Sequence, residues 1–274
     1  MVVLLKLYTK IYFFLAFHQL NHPQCLILQN KNTTANYKNS MKKIIITMLL
    51  AVILPKQIVA QTVAHVPQTP SKHYNDRVLL FENSAPIDST NIVMLGNSLT
   101  ENLGDWNELI GDTDSLIINR GIIGDTANGM KARLCQILPG HPKALFLMCG
   151  INDISHHLTP ETIFTRIVDI TDSIRSISPN TIMYIQSVLP FVKNSRWRLL
   201  KGKTNDVVAL NSLIQKFCND NNITFVNIFP KLCKSGTNEL DVSYSVDGLH
   251  INKQGYEIWA EELRPYIKQI LNKK

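Results

Sequence analysis

An acid and an imidazole stand three residues apart in "SVDGLH", Asp247 and His250, just ahead of the last helical stretch of this 274-residue chain. An imidazole backed by a carboxylate is suited to taking a proton from a hydroxyl, because the acid orients the ring and stabilises the cation that forms. A hydroxyl for such a base occurs in "GNSLT", where Ser98 follows Gly96 at the end of an apolar run. Two further apolar runs lead into polar, glycine-bearing turns, "NRGIIGDT" with Gly124 and "GINDIS" with Asn152. Backbone N–H groups and a side-chain amide are the donors that stabilise a developing oxyanion. Each segment alone has a plainer reading. Ser98 can cap a helix, Asp125 can cap the helix carrying Met130, Leu134 and Ile137, and Asn152 can stabilise a turn.

Bringing these side chains together requires a scaffold, and the chain alternates short apolar runs with longer helical patterns from about His73 onward. The runs are "NIVML" (91–95), "LII" (116–118), "ALFLMC" (144–149), "TIMYI" (181–185) and "ITFV" (223–226). They read as strands buried on both faces. Between them, Ile163, Ile167, Ile170, Ile174 and Ile177 form one stripe along a helix that Pro160 opens and Pro179 follows. Val207, Leu210, Ile214 and Phe217 repeat that spacing. So do Tyr256, Trp259, Leu263 and Ile267, where Pro265 is expected to bend the helix. Strand alternating with helix predicts an α/β fold: a parallel sheet with helices on both faces, in one domain of about two hundred residues. In such sheets ligands bind beyond the carboxyl ends of the strands, where the three turns and the Asp247 loop would meet.

The set, in chain order Ser98, Gly124, Asn152, Asp247 and His250, resembles the SGNH hydrolases, also called GDSL esterases. Ser98 in "GNSLT" matches the first block of that family, Gly124 the second, Asn152 in "GIND" the third, and Asp247 with His250 in "DGLH" the last. The resemblance spans about residues 75–270. It implies a three-layer α/β/α sandwich around a five-stranded parallel sheet, of flavodoxin-like form, and no metal or organic cofactor. It also implies a carboxylic ester hydrolase with Ser98 as nucleophile, His250 as base and Asp247 as its acid. The oxyanion hole would be formed by Ser98 and Gly124 N–H groups and the Asn152 side chain. Asn97 stands where the family's short name has Asp, without an implied loss of activity. The similarity is nearest to the acetylesterase and acetylhydrolase branch, which points to short acyl esters of a carbohydrate. Lysophospholipids or other short-chain acyl esters are the runner-up, and a noncatalytic carbohydrate- or lipid-binding protein on the same fold is the reading of another class. Activity is expected to fall on the acid side as His250 takes up a proton.

Two rivals use the same residue types. "NDISHH" supplies a second acid and imidazole, Asp153 and His156, followed by His157, as a metal site or an alternative base. No further pattern converges there to supply the three or four ligands a defined zinc site needs. An ordinary α/β-hydrolase elbow needs glycine two residues after the serine, where this chain has Thr100. For the substrate, two readings stand side by side: Trp106 and the segment 191–203 line the pocket, with Arg196, Trp197 and Arg198 placed to grip an acidic sugar, or the segment is a solvated loop with Trp197 packed beneath it.

The formal charge of +7 is misleading as a sign of nucleic acid binding. Residues 1–60 hold seven lysines and no acid, which leaves 21 basic and 21 acidic residues for the remainder. No basic footprint for a phosphate backbone is left. From Met41, "MKKIIITMLLAVILPKQIVAQ" has the form of a signal peptide ending near Ala60, its apolar run too short to span a bilayer. The expected organisation is an upstream extension at 1–40, a signal peptide at 41–60, a linker at 61–74 and the hydrolase domain at 75–274. Export to a periplasm or the medium follows, with no stable membrane span after cleavage. Cys135 and Cys149, in apolar registers, are expected to be buried thiols rather than bridge partners, and no obligatory disulfide is expected among Cys135, Cys149, Cys218 and Cys233.

Overall fold

The computed structural model describes residues 71–272, apart from positions 112 and 115. The expected extension, the signal peptide and all but the end of the linker lie outside the described residues. Five strands form one sheet, β1 (Ile92–Gly96), β2 (Ile117–Gly121), β3 (Ala144–Leu147), β4 (Ile182–Gln186) and β5 (Thr224–Val226), in the order β2-β1-β3-β4-β5. Every neighbouring pair is parallel. Helices alternate with them: α1 (Lys72–Glu82), α2 (Ser98–Glu101), α3 (Trp106–Ile110), α4 (Ala127–Ala132), α5 (Ile151–Ser155), α6 (Pro160–Ile177), α7 (Thr204–Asp220), α8 (Phe229–Leu232) and α9 (Lys253–Asn272). Each strand begins within one residue of its expected start. α1 begins at Lys72, inside the stretch expected to be linker.

The pleat divides the core in two. Val93, Leu95, Leu145 and Leu147 face one layer with α4, α6 and α7, where Met130, Ile163, Ile167, Ile170, Ile174, Val207, Leu210 and Ile214 are buried. Ile92, Met94, Ala144 and Phe146 face the other, where Trp106 of α3 packs with Tyr256, Trp259, Leu263 and Ile267 of α9. Alternate residues of one strand therefore serve opposite layers, which is why the central strands read as unbroken apolar runs. Burial on both faces does not hold along every strand: Ile118 and Asn119 of β2, Ile182 and Met183 of β4, and Thr224 and Phe225 of β5 are partly exposed.

Local chemistry sets the helix ends. The Thr159 side chain accepts from the Thr162 N–H, and Pro160 fills the first turn of α6, where its missing N–H is no loss. α9 runs on through Pro265. β1 lies at the point where the sheet order reverses, with β2 on one side and β3 on the other. The turns after β1 and β3 thus flank the crevice where ligands bind in open parallel sheets.

Cys149 and Cys218 are buried free thiols, and Cys233 is a partly buried one. Cys135 corrects the sequence expectation. α4 stops at Ala132, and Cys135 sits half-exposed in a 3-10 turn, Leu134–Gln136, rather than buried on an apolar helical face.

Candidate active site

Ser98 is the first residue of α2, just past the end of β1, and the residue is almost fully buried. Asn97 caps that helix, its side-chain oxygen accepting from the Leu99 N–H at 3.0 Å. An aspartate would make the same bond, so the exchange of Asp for Asn leaves the turn intact.

Asp247 and His250 lie in a narrow loop closed by the Val246 N–H donating to the His250 carbonyl at 2.8 Å and by a bridge between Ser245 and Ile251. Gly248 turns that loop with φ +91°, a conformation that L side chains rarely adopt, and a Cβ there would strike Ser195. The turn brings the acid back onto the ring. His250 Nδ1 is 2.9 Å from Asp247 Oδ2, and His250 Nε2 is 3.0 Å from Ser98 Oγ, across 152 residues of chain. With the ring proton on Nδ1, that nitrogen donates to the carboxylate and Nε2 accepts the serine proton. The other carboxylate oxygen, Oδ1, accepts from the Leu249 and His250 N–H groups at 3.0 and 2.8 Å. Burial pushes the Asp247 carboxyl up, but the His250 ring, these two N–H groups and the Arg196 guanidinium outweigh it and hold it well below the usual carboxylate range.

Gly124 occupies the turn after β2 with φ +78°. Among the described residues, no hydrogen bond is made by the N–H of Ser98 or of Gly124, so both donors are free. Asn152, in the first turn of α5, donates one Nδ2 hydrogen to the Asp125 carbonyl at 2.9 Å, which fixes the amide and leaves its second hydrogen unused by that bond. A hydroxyl bonded to an imidazole that is itself bonded to a carboxylate can attack a carbonyl, and unspent N–H donors are the groups that accommodate an oxyanion.

The rival pair is drawn into structure. Asp153 is wholly buried, one oxygen accepting from the Ala127 N–H and the other from Arg166 Nη1, each at 3.0 Å. The imidazole that meets the Ser98 hydroxyl is that of His250 rather than His156. Among the described residues no group of three or more potential metal ligands gathers.

The expected pocket lining divides. Trp106 is a correction: it has no exposure, donates Nε1 to the Thr100 carbonyl at 3.2 Å and packs edge-on against Trp259, because the first turn of α3 points it into the core. Trp197 does stand at the site, its ring edge-on to that of His250 at 5.3 Å between centroids. Arg196 lies beside it and donates Nη2 to Asp247 Oδ2 at 2.9 Å. Asp125 is a second correction. Thr126 caps α4, while Asp125 pairs with buried Arg133 at 2.8 Å, a residue the sequence reading passed over. An arginine inside the apolar stretch "MKARLCQIL" was the available signal.

The GDSL-like Lipase/Acylhydrolase family matches residues 94–258, more than half of the chain and all of the segments just described. The chain belongs to this family. Solved structures share the fold of this acylhydrolase at low identity. A Bacteroides fragilis protein described as an acylhydrolase is 20% identical with a TM-score of 0.65, over 75% of this chain and 100% of that one. A GDSL-like lipase from Bacteroides thetaiotaomicron is 22% identical with a TM-score of 0.63, over 72% and 97%. An acetylxylan esterase from Geobacillus stearothermophilus is 14% identical with a TM-score of 0.53, over 66% and 95%. No curated protein is similar enough in sequence to count as a match. The five-stranded parallel sheet of this chain is the fold of these hydrolases.

Proposed function

We propose that this acylhydrolase cleaves short acyl esters, acetyl esters of a carbohydrate first among them, through an acyl-serine at Ser98. The observation that carries the reading is the unbroken relay from Ser98 Oγ through the His250 ring to Asp247 Oδ2, at 3.0 and 2.9 Å. His250 Nε2 takes the serine proton as Oγ bonds to the ester carbon. The carbonyl oxygen, now negative, lies against the Ser98 and Gly124 N–H groups and the Asn152 amide, and loss of one such donor lowers the rate by about a hundredfold to a thousandfold. The ester C–O bond then breaks, and the departing alkoxide takes the proton from Nε2. Water repeats the sequence in reverse roles: Nε2 accepts its proton, its oxygen bonds to the acyl carbon, and Oγ leaves with the proton restored.

The sugar side of the substrate is assigned to Trp197 and Arg196, since a ring face and a guanidinium beside the imidazole suit a polar, acidic glycan. The likeness in fold to an acetylxylan esterase supports the acetyl group and the glycan but does not name the polymer. Hydrolysis of p-nitrophenyl acetate tests the mechanism: the activity is expected to vanish in Ser98→Ala, and binding without turnover by the unaltered protein would overturn it. Acetate release from acetylated sugars, set against longer acyl esters and lysophospholipids, tests the substrate. Faster turnover of the longer chains would favour a lysophospholipase. Export through the signal at 41–60 is part of the same reading, and a mature chain that retains residues 1–40 would refute it.

A further inference from the structure

We infer that Arg196 is a positioning residue of the proposed catalytic relay, a solvent-side clamp on Asp247 that keeps His250 neutral, and so able to act as a base, to lower pH. The inference rests on the serine esterase reading. Its geometric basis is that Arg196 Nη2 and His250 Nδ1 share one acceptor, Asp247 Oδ2, each at 2.9 Å. The opposite oxygen is held by two backbone N–H groups, so the carboxylate receives four donors and cannot rotate away from any of them.

The clamp is built from a separate piece of chain. The segment after β4 crosses the Asp247 loop, with the Val192 N–H donating to the Gly248 carbonyl at 2.7 Å and Ser195 filling the space beside Gly248. That crossing sets Trp197 against the His250 ring and delivers Arg196, 51 residues from Asp247 in sequence, to the outer face of the carboxylate. The two partners differ in exposure: the Asp247 side chain is 9% exposed and that of Arg196 72%. An exposed pair of this kind adds little to stability. Its effect falls on the ring instead, because the charge state of His250 depends on what its carboxylate already holds.

The groups facing the imidazole are Asp247 from its own loop, Ser98 from the turn after β1, and Trp197 with Arg196 from the crossing segment. Asp247 favours the imidazolium, and Arg196 opposes it twice over. Its positive charge is near the ring, and its N–H occupies the oxygen that would otherwise bind the ring proton alone. Removing the guanidinium should therefore strengthen the carboxylate's hold on a protonated ring, and the base would be lost at a higher pH.

The test is the pH profile of kcat/KM for p-nitrophenyl acetate, an ester that presents no sugar to Arg196. For Arg196→Gln the acid limb is expected to move up by about half a pH unit, the shift being moderated by solvent screening. Arg196→Lys should restore most of it, KM should change less than twofold, and Lys193→Gln, a nearby exposed cation, should leave the limb in place. Raising salt to 1 M should move the unaltered enzyme toward Arg196→Gln while leaving that variant where it is. An Arg196→Gln limb coincident with that of the unaltered enzyme would overturn the inference. So would an equal shift in Lys193→Gln, or a loss of rate uniform across pH that Lys fails to repair. Activity that survives Ser98→Ala would strike the esterase reading itself, an outcome distinct from any of these.

Discussion

Two aspartates near the site each have an arginine at hydrogen-bond distance, Asp247 with Arg196 at 2.9 Å and Asp125 with Arg133 at 2.8 Å, and their carboxyls are driven in opposite directions. Burial pushes Asp125 up to about 6, against the pull of Arg133 and the Thr126 N–H, and neighbouring Asp153 adds to the rise. Asp247 is held low. The difference lies in what surrounds the pair. Arg133 and Asp125 are both sealed, with 2% and 1% side-chain exposure, and Asp125 shares its surroundings with a second acid. Asp247 keeps an outer face near solvent and collects four donors. An arginine alone therefore does not decide whether a carboxylate stays charged; burial and the number of donors do. The two pairs also differ in where they act. Arg133 reaches the Gly96 carbonyl, ahead of Ser98, as well as Asp125, just past Gly124, so the sealed pair ties the turn that carries Ser98 to the turn that carries Gly124. The open pair touches the proposed relay directly.

The largest effect that would break this contrast is catalytic. Asp247→Asn should lower kcat about ten-thousandfold, the cost of a wrongly oriented ring tautomer in serine hydrolases of this logic. A rate within tenfold of the unaltered enzyme would show that Asp247 has no special part. The sealed pair should respond in the opposite sense. Arg133→Met leaves Asp125 buried without its cation and should cost about 3–5 kcal/mol of stability, read from urea unfolding. Asp125→Asn should cost less, because burial already disfavours the charged form there and the amide keeps its shape. Equal losses for the two variants would mean that the ion pair, rather than the burial, dominates.

How much of this was legible from residue types follows from the range of the interactions. The strands and the Ile163–Ile177 stripe are periodicities within one element, and the sheet order is a small set of options once parallel strands are accepted. The loop carrying Asp247 and His250 was legible because its spacing is local. Trp106 was not: an aromatic after the Asp105 cap looks the same whether its helix turns it toward a pocket or toward Trp259. Asp125 read as a cap because Asp and Thr126 are both good caps, and nothing local says which one faces an arginine eight residues on. The contact of Arg196 with Asp247 depends on the route of the segment after β4 over another loop, which no sequence period records.

The smallest effect is a pair of slopes in stability against pH, and it tests the contrast without touching activity. Asp125 has a raised value, about 6 against an ordinary 3.8, so between those limits the folded chain holds a proton that the unfolded chain has released. Its contribution to stability is therefore greatest at acid pH and declines as pH rises from about 4 to about 6, a change of about 3 kcal/mol. Asp247, with a depressed value, contributes stability that is present above about 4 and is lost as pH falls further. Urea midpoints measured from pH 3 to pH 8 should give difference curves of opposite slope in separate windows, the unaltered protein minus Asp125→Asn falling between pH 4 and 6, and minus Asp247→Asn rising from pH 3. If both differences rose with pH, Arg133 would be holding Asp125 charged despite its burial, and the two pairs would differ in exposure but not in kind.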